Sequence, residues 1–267
     1  MSEYATCEVA PDGLATLRLH HGKVNALSIE LLGEIRQAAE ELQADQQCRC
    51  LVITGGPKIF AAGADISQFC ENAEVESFQI GAAERIQRIG EAFRDALGAI
   101  ERLRVPTIAA IHGVAFGGGC ELALACDFRF ASDRAKFGQP EILLGIIPGG
   151  GGTQRLARLI GPSAAKDLIF TGRAIDSAEA LRLGLINEVV ADDQLDARAS
   201  EFAQRLARGP ARAIELAKQA IDQGIAEMLA EGIELEQRLF VEAFADANAT
   251  IGVKSFLASG PGNAVFD

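Results

Sequence analysis

Three clusters of glycine constrain this chain more than any other feature. They lie around Gly63, at Gly113 with Gly117-Gly118-Gly119, and from Gly149 to Gly152, each where a strand-like run gives way to a helix-like one. Glycine supplies 28 of 267 residues, about a tenth against a usual ~7%. At a strand-to-helix junction it permits a tight turn. It also leaves the first backbone N–H groups of the helix without partners at the positive end of the helix dipole, a place suited to a negative group.

The segments between the clusters read as an α/β chain. Thr6–Ala10 and Leu14–His20 alternate apolar and polar residues around Pro11-Asp12-Gly13, which predicts an antiparallel hairpin. Ser28 stands as an N-cap before Leu31, Leu32, Ile35, Ala38, Ala39 and Leu42, whose spacing of three and four marks one buried helical face. Leu51-Val52-Ile53 predicts a buried strand ending at Gly55-Gly56-Pro57. The span 78–103 predicts one long helix with Ile80, Ile86, Ile89, Phe93, Leu97 and Ile100 on its core side, followed by strands at Thr107–Ile111 and Phe128–Ala131. From Gly152 onward the pattern is mostly helical, broken at Gly161-Pro162, Gly172, Gly184, Gly209-Pro210 and Gly260-Pro261. The alternation implies a sheet covered by helices, with a helical C-terminal part. Residues 1–195 are assigned to a catalytic core and 196–267 to a helical subdomain. The apolar content of the latter (Leu206, Ile214, Leu216, Ile221, Leu229, Ile233, Leu235, Leu239, Phe240 and Phe244) is divided between packing onto the core and contact with a second subunit.

Several functional classes are disfavoured by composition. Lys and Arg number 25 against 37 Asp and Glu, a net charge of −12, which repels nucleic-acid phosphates and anionic membrane surfaces. No apolar run approaches the ~18 residues of a bilayer span. Met1-Ser2-Glu3-Tyr4 carries an acid where an export signal needs a basic region, so a cytoplasmic protein is expected. The six cysteines (Cys7, Cys48, Cys50, Cys70, Cys120, Cys126) show no two-residue spacing of the zinc or dithiol kind and read as reduced core residues. His20, His21 and His112 are too few and too scattered for a metal centre. None of the glycine clusters follows the G-x-G-x-x-G, G-K-[ST] or G-x-S-x-G patterns, so neither a standard nucleotide phosphate site nor a serine nucleophile is indicated.

Two carboxylates stand beside these glycines. In 111–121 a strand ends, the chain turns, and a helix begins near Gly118, so the free Gly118 amide and Glu121 share one helical turn. Glu141 follows Gly138-Gln139-Pro140 at another helix start. Taken singly, each acid reads equally as ordinary first-turn chemistry, and 60–66 reads as a connecting loop that lets a ligand approach backbone amides.

Together the segments FAAGADI (60–66), HGVAFGGGCELALACD (112–127) and FGQPEILLGIIPGGGGTQRL (137–156), with KVNAL (23–27), resemble the signature regions of the enoyl-CoA hydratase, or crotonase, superfamily. The resemblance extends over most of the chain and is closest to the hydratases. It implies a spiral of ββα units with a helical C-terminal trimerisation region, assembled as a trimer or a dimer of trimers. It implies acyl-CoA thioester substrates and no cofactor beyond the coenzyme A of the substrate. By position, the resemblance puts the oxyanion-binding amides at Ala64 and Gly118, and the two acids that flank a water at Glu121 and Glu141. It sets Gly149 at the backbone beside that water, and substrate contacts at Lys23, Ala26, Ala62, Asp65 and Ile66. Lys58 is a further candidate contact to coenzyme A, whereas Arg155 and Arg158 read as helix-face residues. The expected reaction is hydration of a 2-enoyl thioester. Double-bond isomerisation on the same scaffold and an acyl-CoA-binding protein without turnover are the alternatives. One departure is plain: 256–266 lacks the basic stretch with which many members hold coenzyme A phosphates.

Overall fold

A computed structural model describes residues 3–72, 79–80, 82–226 and 265. The chain opens with the expected hairpin, β1 (Ala5–Val9) and β2 (Leu14–Leu19), antiparallel from Ala5 opposite Leu19 to Val9 opposite Ala15. Its turn depends on Gly13, at φ 82°, and on Asp12, whose carboxylate accepts the Leu14 N–H at 3.2 Å. Helix α1 (Ile29–Ala44) starts at Ser28, whose Oγ accepts the Leu31 N–H at 3.2 Å, and it buries the six residues that the spacing singled out.

The main sheet has six strands in the order β1-β2-β3-β6-β8-β11, where β3 is Cys50–Thr54, β6 Thr107–Ile111, β8 Phe128–Ser132 and β11 Glu188–Val190. From β2 onward neighbouring strands are parallel. Each step therefore needs a crossover, and helices and smaller strands supply it. The strands that follow β6 and β8 leave this sheet. β7 (Val114–Phe116) and β9 (Lys136–Gly138) pair in parallel, and β10 (Ile175–Asp176) adds to β9, forming a separate three-stranded sheet. This is the ββα repeat implied by the resemblance. β7 replaces what the sequence suggested was only a turn, because Gly117 donates to the Gly138 carbonyl and Phe116 to that of Ala61, which gives so short a strand partners on both sides.

One helical expectation is corrected. Helix α2 runs Ala83–Glu101, not from residue 78. Gln79–Ile80 form strand β5 instead, paired antiparallel with β4 (Cys70–Asn72), Ile80 lying opposite Cys70. A nearby strand partner satisfies that backbone, and apolar spacing alone carries no information about such a partner. Ile86 is only half-buried, while Ile89, Phe93, Leu97 and Ile100 enter the core as expected.

Past α3 (Gly118–Leu124) the helices are α4 (Gly152–Ile160), α5 (Pro162–Thr171), α6 (Ser177–Leu183), α7 (Leu195–Ala207) and α8 (Ala211–Ala226), and the first three are separated at Gly161, Gly172 and Gly184. A large apolar core includes residues of α1, α2 and α3. A second gathers Cys50, Val52, Ile108, Ala110 and Phe130 of the sheet with Leu195, Ala199, Ala203 and Ala207 of α7. Helix α7, which starts at the assigned boundary of 195, is thus packed on the sheet. Helix α8 is tied to the sheet by Lys218, whose Nζ donates to both oxygens of Asp127 at 2.6 and 2.7 Å. The C-terminal apolar residues from Leu229 onward lie outside the described residues.

Candidate active site

The glycine junctions converge on one place. At the end of β7, Gly117 takes φ 49°, a value that L side chains rarely adopt, and α3 begins at the next residue. All seven residues of α3 are buried, so Glu121, one turn in, is carried into the interior and is 2% exposed. The Gly118 N–H, at the helix start, has no acceptor among the described residues.

Ala64 meets it from another part of the chain. Residues 62–65 run beside 24–27, with Ala62 donating to Val24 at 3.0 Å, Leu27 to Gly63 at 2.8 Å and Asp65 to Leu27 at 3.0 Å. Backbone groups alternate in direction along such a bridge, so the Ala64 N–H faces away from Leu27, and it has no acceptor among the described residues. A Cβ at Gly118 would lie 3.4 Å from the Ala64 nitrogen and 2.6 Å from Cε1 of Phe93. The two N–H groups are therefore neighbours, and a side chain at 118 would have to push the Phe93 ring aside.

Glu121 is held by the third glycine cluster. Its Oε1 accepts the Gly150 N–H at 2.8 Å and the Gly152 N–H at 2.7 Å, while its Oε2 has no donor among the described residues. Glu141 comes from a 3-10 turn, Pro140–Leu144, and is half-buried. A Cβ at Gly117 would sit 2.9 Å from Glu141 Oε1, so this carboxyl borders the same junction. Buried Gln139 completes the group: with its amide turned so that the nitrogen faces Glu141, the orientation that satisfies its partners, it donates to Oε1 at 3.1 Å and Oε2 at 3.2 Å.

The two acids differ in electrostatic surroundings. Burial pushes the Glu121 carboxyl up, opposed by the N–H groups of Gly152 and Gly150 and by the Arg155 charge. Burial also pushes Glu141 up, to about 7, with the negative charge of Glu121 adding to the effect and its own backbone N–H opposing it. Two interacting carboxyls share their protonation, and the charge settles on the one whose surroundings favour it more. Glu121 has two backbone N–H donors and the Arg155 charge, while the Glu121 charge pushes Glu141 up, which leaves Glu141 as the acid that more readily keeps its proton.

The remaining expected residues are more varied. Ala26 and Ala62 are half-buried on the two adjoining segments, while Ile66 is half exposed and Lys23 and Lys58 are exposed. Asp65 turns its carboxylate back to cap the following turn, accepting from Ser67 N at 3.0 Å and Ser67 Oγ at 2.7 Å. Gly149 is exposed, and the amides on Glu121 are those of Gly150 and Gly152, one and three residues later. Sequence reasoning missed these two, and it missed Gln139 and the place of Phe93 as well. Four consecutive glycines cannot be told apart by type, and a core phenylalanine carries no mark of what it abuts. Among the described residues no group of three His, Cys, Asp or Glu side chains could hold a metal ion.

This arrangement matches known proteins. The family model described as enoyl-CoA hydratase/isomerase matches residues 10–263. A probable enoyl-CoA hydratase of Mycobacterium leprae is 43% identical over 234 residues, covering 88% of this chain and 87% of that protein. A crotonyl-CoA hydratase of Syntrophomonas wolfei is 40% identical over 247 residues, 91% of each. Among solved structures, the enoyl-CoA hydratase of Bacillus anthracis superposes with a TM-score of 0.88 at 36% identity, over 96% of both chains.

Proposed function

The chain belongs to the enoyl-CoA hydratase/isomerase family, and from that premise we propose that it adds water across the 2,3 double bond of 2-trans-enoyl-CoA thioesters, giving 3-hydroxyacyl-CoA. The observation that carries this reading is the meeting of two N–H groups that lack an acceptor among the described residues with two carboxyls, both pushed up by burial, of which one is held by two backbone N–H groups.

Attack of water on C3 of the thioester drives negative charge onto the thioester oxygen. The N–H groups of Ala64 and Gly118 converge where that oxygen would be held, and fixed donors of this kind stabilise the transition state more than the ground state. Glu121, anchored through Oε1, has Oε2 to take a proton from the attacking water. Glu141 delivers its proton to C2 as the enolate collapses. One proton enters Glu121 and one leaves Glu141, so the pair is restored when Glu121 passes its proton back through solvent. Gln139 and the Gly150 and Gly152 amides orient the two acids. Ala26, Ala62 and Ile66 border the segment that carries the Ala64 amide and are read as substrate contacts. Lys23 is read as a contact to a coenzyme A phosphate, which makes anion binding a local matter on a chain of net charge −12. The reaction as read needs no cofactor beyond the coenzyme A of the substrate.

Self-association as a trimer or a dimer of trimers belongs to the same proposal. Leu143, Leu144, Ile147 and Phe170 are each 60–69% exposed, close to the Glu141 turn, and exposed apolar residues grouped in this way suit a subunit interface. A cytoplasmic location is supported by six free cysteines, five of them buried, in keeping with a reducing compartment. Among the described residues no helix is long and apolar enough to cross a membrane.

Purified protein mixed with crotonyl-CoA is expected to bleach the absorbance of the conjugated thioester and yield 3-hydroxybutyryl-CoA. Binding of the thioester without bleaching at any chain length would overturn the hydratase reading in favour of a binding protein. Migration of a double bond from a 3-enoyl thioester, without hydration, would favour an isomerase.

A further inference from the structure

We infer that Arg155 is a positioning residue for Glu121, acting through the backbone of the glycine turn and anchored by Glu101; the inference rests on the hydratase reading above. The path is continuous. Gly150 gives its N–H to Glu121 Oε1 at 2.8 Å, and its carbonyl accepts from Arg155 Nη1 at 2.8 Å, so one residue is gripped from both sides. The guanidinium is fixed in turn by Glu101 at the end of α2, Nε to Oε1 at 3.2 Å and Nη2 to Oε2 at 2.7 Å, the two-pronged geometry that only arginine provides. Gly151 makes room for it. That residue sits at φ 99°, and a Cβ there would lie 2.2 Å from Arg155 Nη1. The Gly151 carbonyl also accepts the Arg155 backbone N–H at 2.8 Å, which closes the first turn of α4 around the same side chain.

The consequence is an aligned pair of N–H donors. Gly150 and Gly152 can both reach one carboxylate oxygen only while the turn keeps its shape, and a polyglycine turn has no side chains with which to hold itself. Arg155 supplies that restraint from outside. Its charge is also felt at Glu121, favouring the ionised base. The other groups facing Glu121 do not cancel this effect: Glu141 is itself pushed up by the Glu121 charge, Cys120 beside it is a buried thiol with its pKa pushed up, and Phe93 of α2 is uncharged. Arg158, by contrast, bonds the carbonyl and side chain of Gln154 on its own helix and no other group among the described residues.

The variants that test this are Arg155→Gln, Arg155→Lys and, for comparison, Arg158→Gln. Arg155→Gln is expected to lower kcat on crotonyl-CoA at least about 10-fold with little change in KM, as loss of orientation of a proton-transfer group requires. The base must be ionised to work, and removing a nearby cation raises its pKa. The acid-side fall of kcat/KM is therefore expected to move to higher pH, by about half a pH unit or more. Arg155→Lys keeps the charge without the fork and is expected to restore the position of that fall but not the full kcat; Arg158→Gln is expected to match the native protein in both. Carbon-13 NMR of glutamate-labelled protein, with the Glu121 carboxyl assigned by Glu121→Gln, reads the same titration without turnover. A protein that hydrates no enoyl-CoA thioester of any chain length sinks the hydratase reading, yet the Glu121 titration still decides this one. A folded Arg155→Gln variant with an unchanged pH profile and an unchanged Glu121 titration overturns it, whether or not kcat has fallen.

Discussion

At the scale of single residues, the proposed mechanism depends on making two chemically identical side chains unequal. Glu121 and Glu141 are both pushed up by burial, but only Glu121 accepts two backbone N–H groups. Removing either carboxylate should therefore abolish a different proton transfer. Glu121→Gln and Glu141→Gln are each expected to lower kcat at least about 100-fold with the fold retained, which steady-state kinetics and circular dichroism check together. The pH dependence follows from the same inequality. Glu141, near 7 when free of substrate, must carry its proton to act, so kcat/KM should fall as pH rises through about 7 and beyond. A flat profile from pH 6 to 9 would contradict its role as the acid. Stability should follow the same sign, since a carboxyl whose pKa is raised on folding favours the folded state less as pH climbs from the ordinary carboxyl range towards 7.

At the scale of elements, one short helix does most of the placing. Helix α3 presents the Gly118 N–H at its first residue and Glu121 one turn later. Its far end is capped by Arg129, whose buried guanidinium donates to Cys126 O at 2.6 Å and Leu185 O at 2.7 Å. The helix cannot slide without breaking those bonds. The near end is set by contact, as Phe93 of α2 lies against the space where Gly118 would carry a side chain. Gly118→Ala is accordingly expected to displace this helix start or the ring and cost kcat about 100-fold, the scale of a misplacement near 1 Å. Trimming the ring in the double variant Gly118→Ala with Phe93→Ala should restore part of the loss. If Gly118→Ala keeps native kcat, the amide at this position does not bind the oxyanion. The sequence made α3 legible because its glycine run and its acid fall within one heptad. It left β7 and β5 unread, since strands of two or three residues exist only through partners outside the segment itself.

At the scale of the whole molecule, the parallel sheet brings the ends of distant crossovers to one side. Residues 64, 118, 141 and 150 are brought together although they span more than eighty positions of sequence. The exposed apolar side chains at 142–147 and at Phe170 lie next to that side, so the proposed interface would border the site. Light scattering is expected to give three or six times the 28.2 kDa chain mass. Phe170→Glu together with Leu143→Glu should lower that mass, because two charges placed in an apolar interface cannot be paired there. A monomeric native protein would remove the proposed interface.

What the sequence determined by itself was local: the hairpin at Pro11-Asp12-Gly13, the buried face of α1, the glycine junctions, and the candidate acids Glu121 and Glu141. Each depends on turn chemistry, capping or periodicity, which act over a few residues. The tertiary structure alone decided which N–H groups face each other, that Gly150 and Gly152 hold Glu121, and that Arg155 grips their turn instead of lying on a bare helix face. Those facts rest on distances between segments tens of residues apart, and only the packing of the sheet and its helices sets such distances.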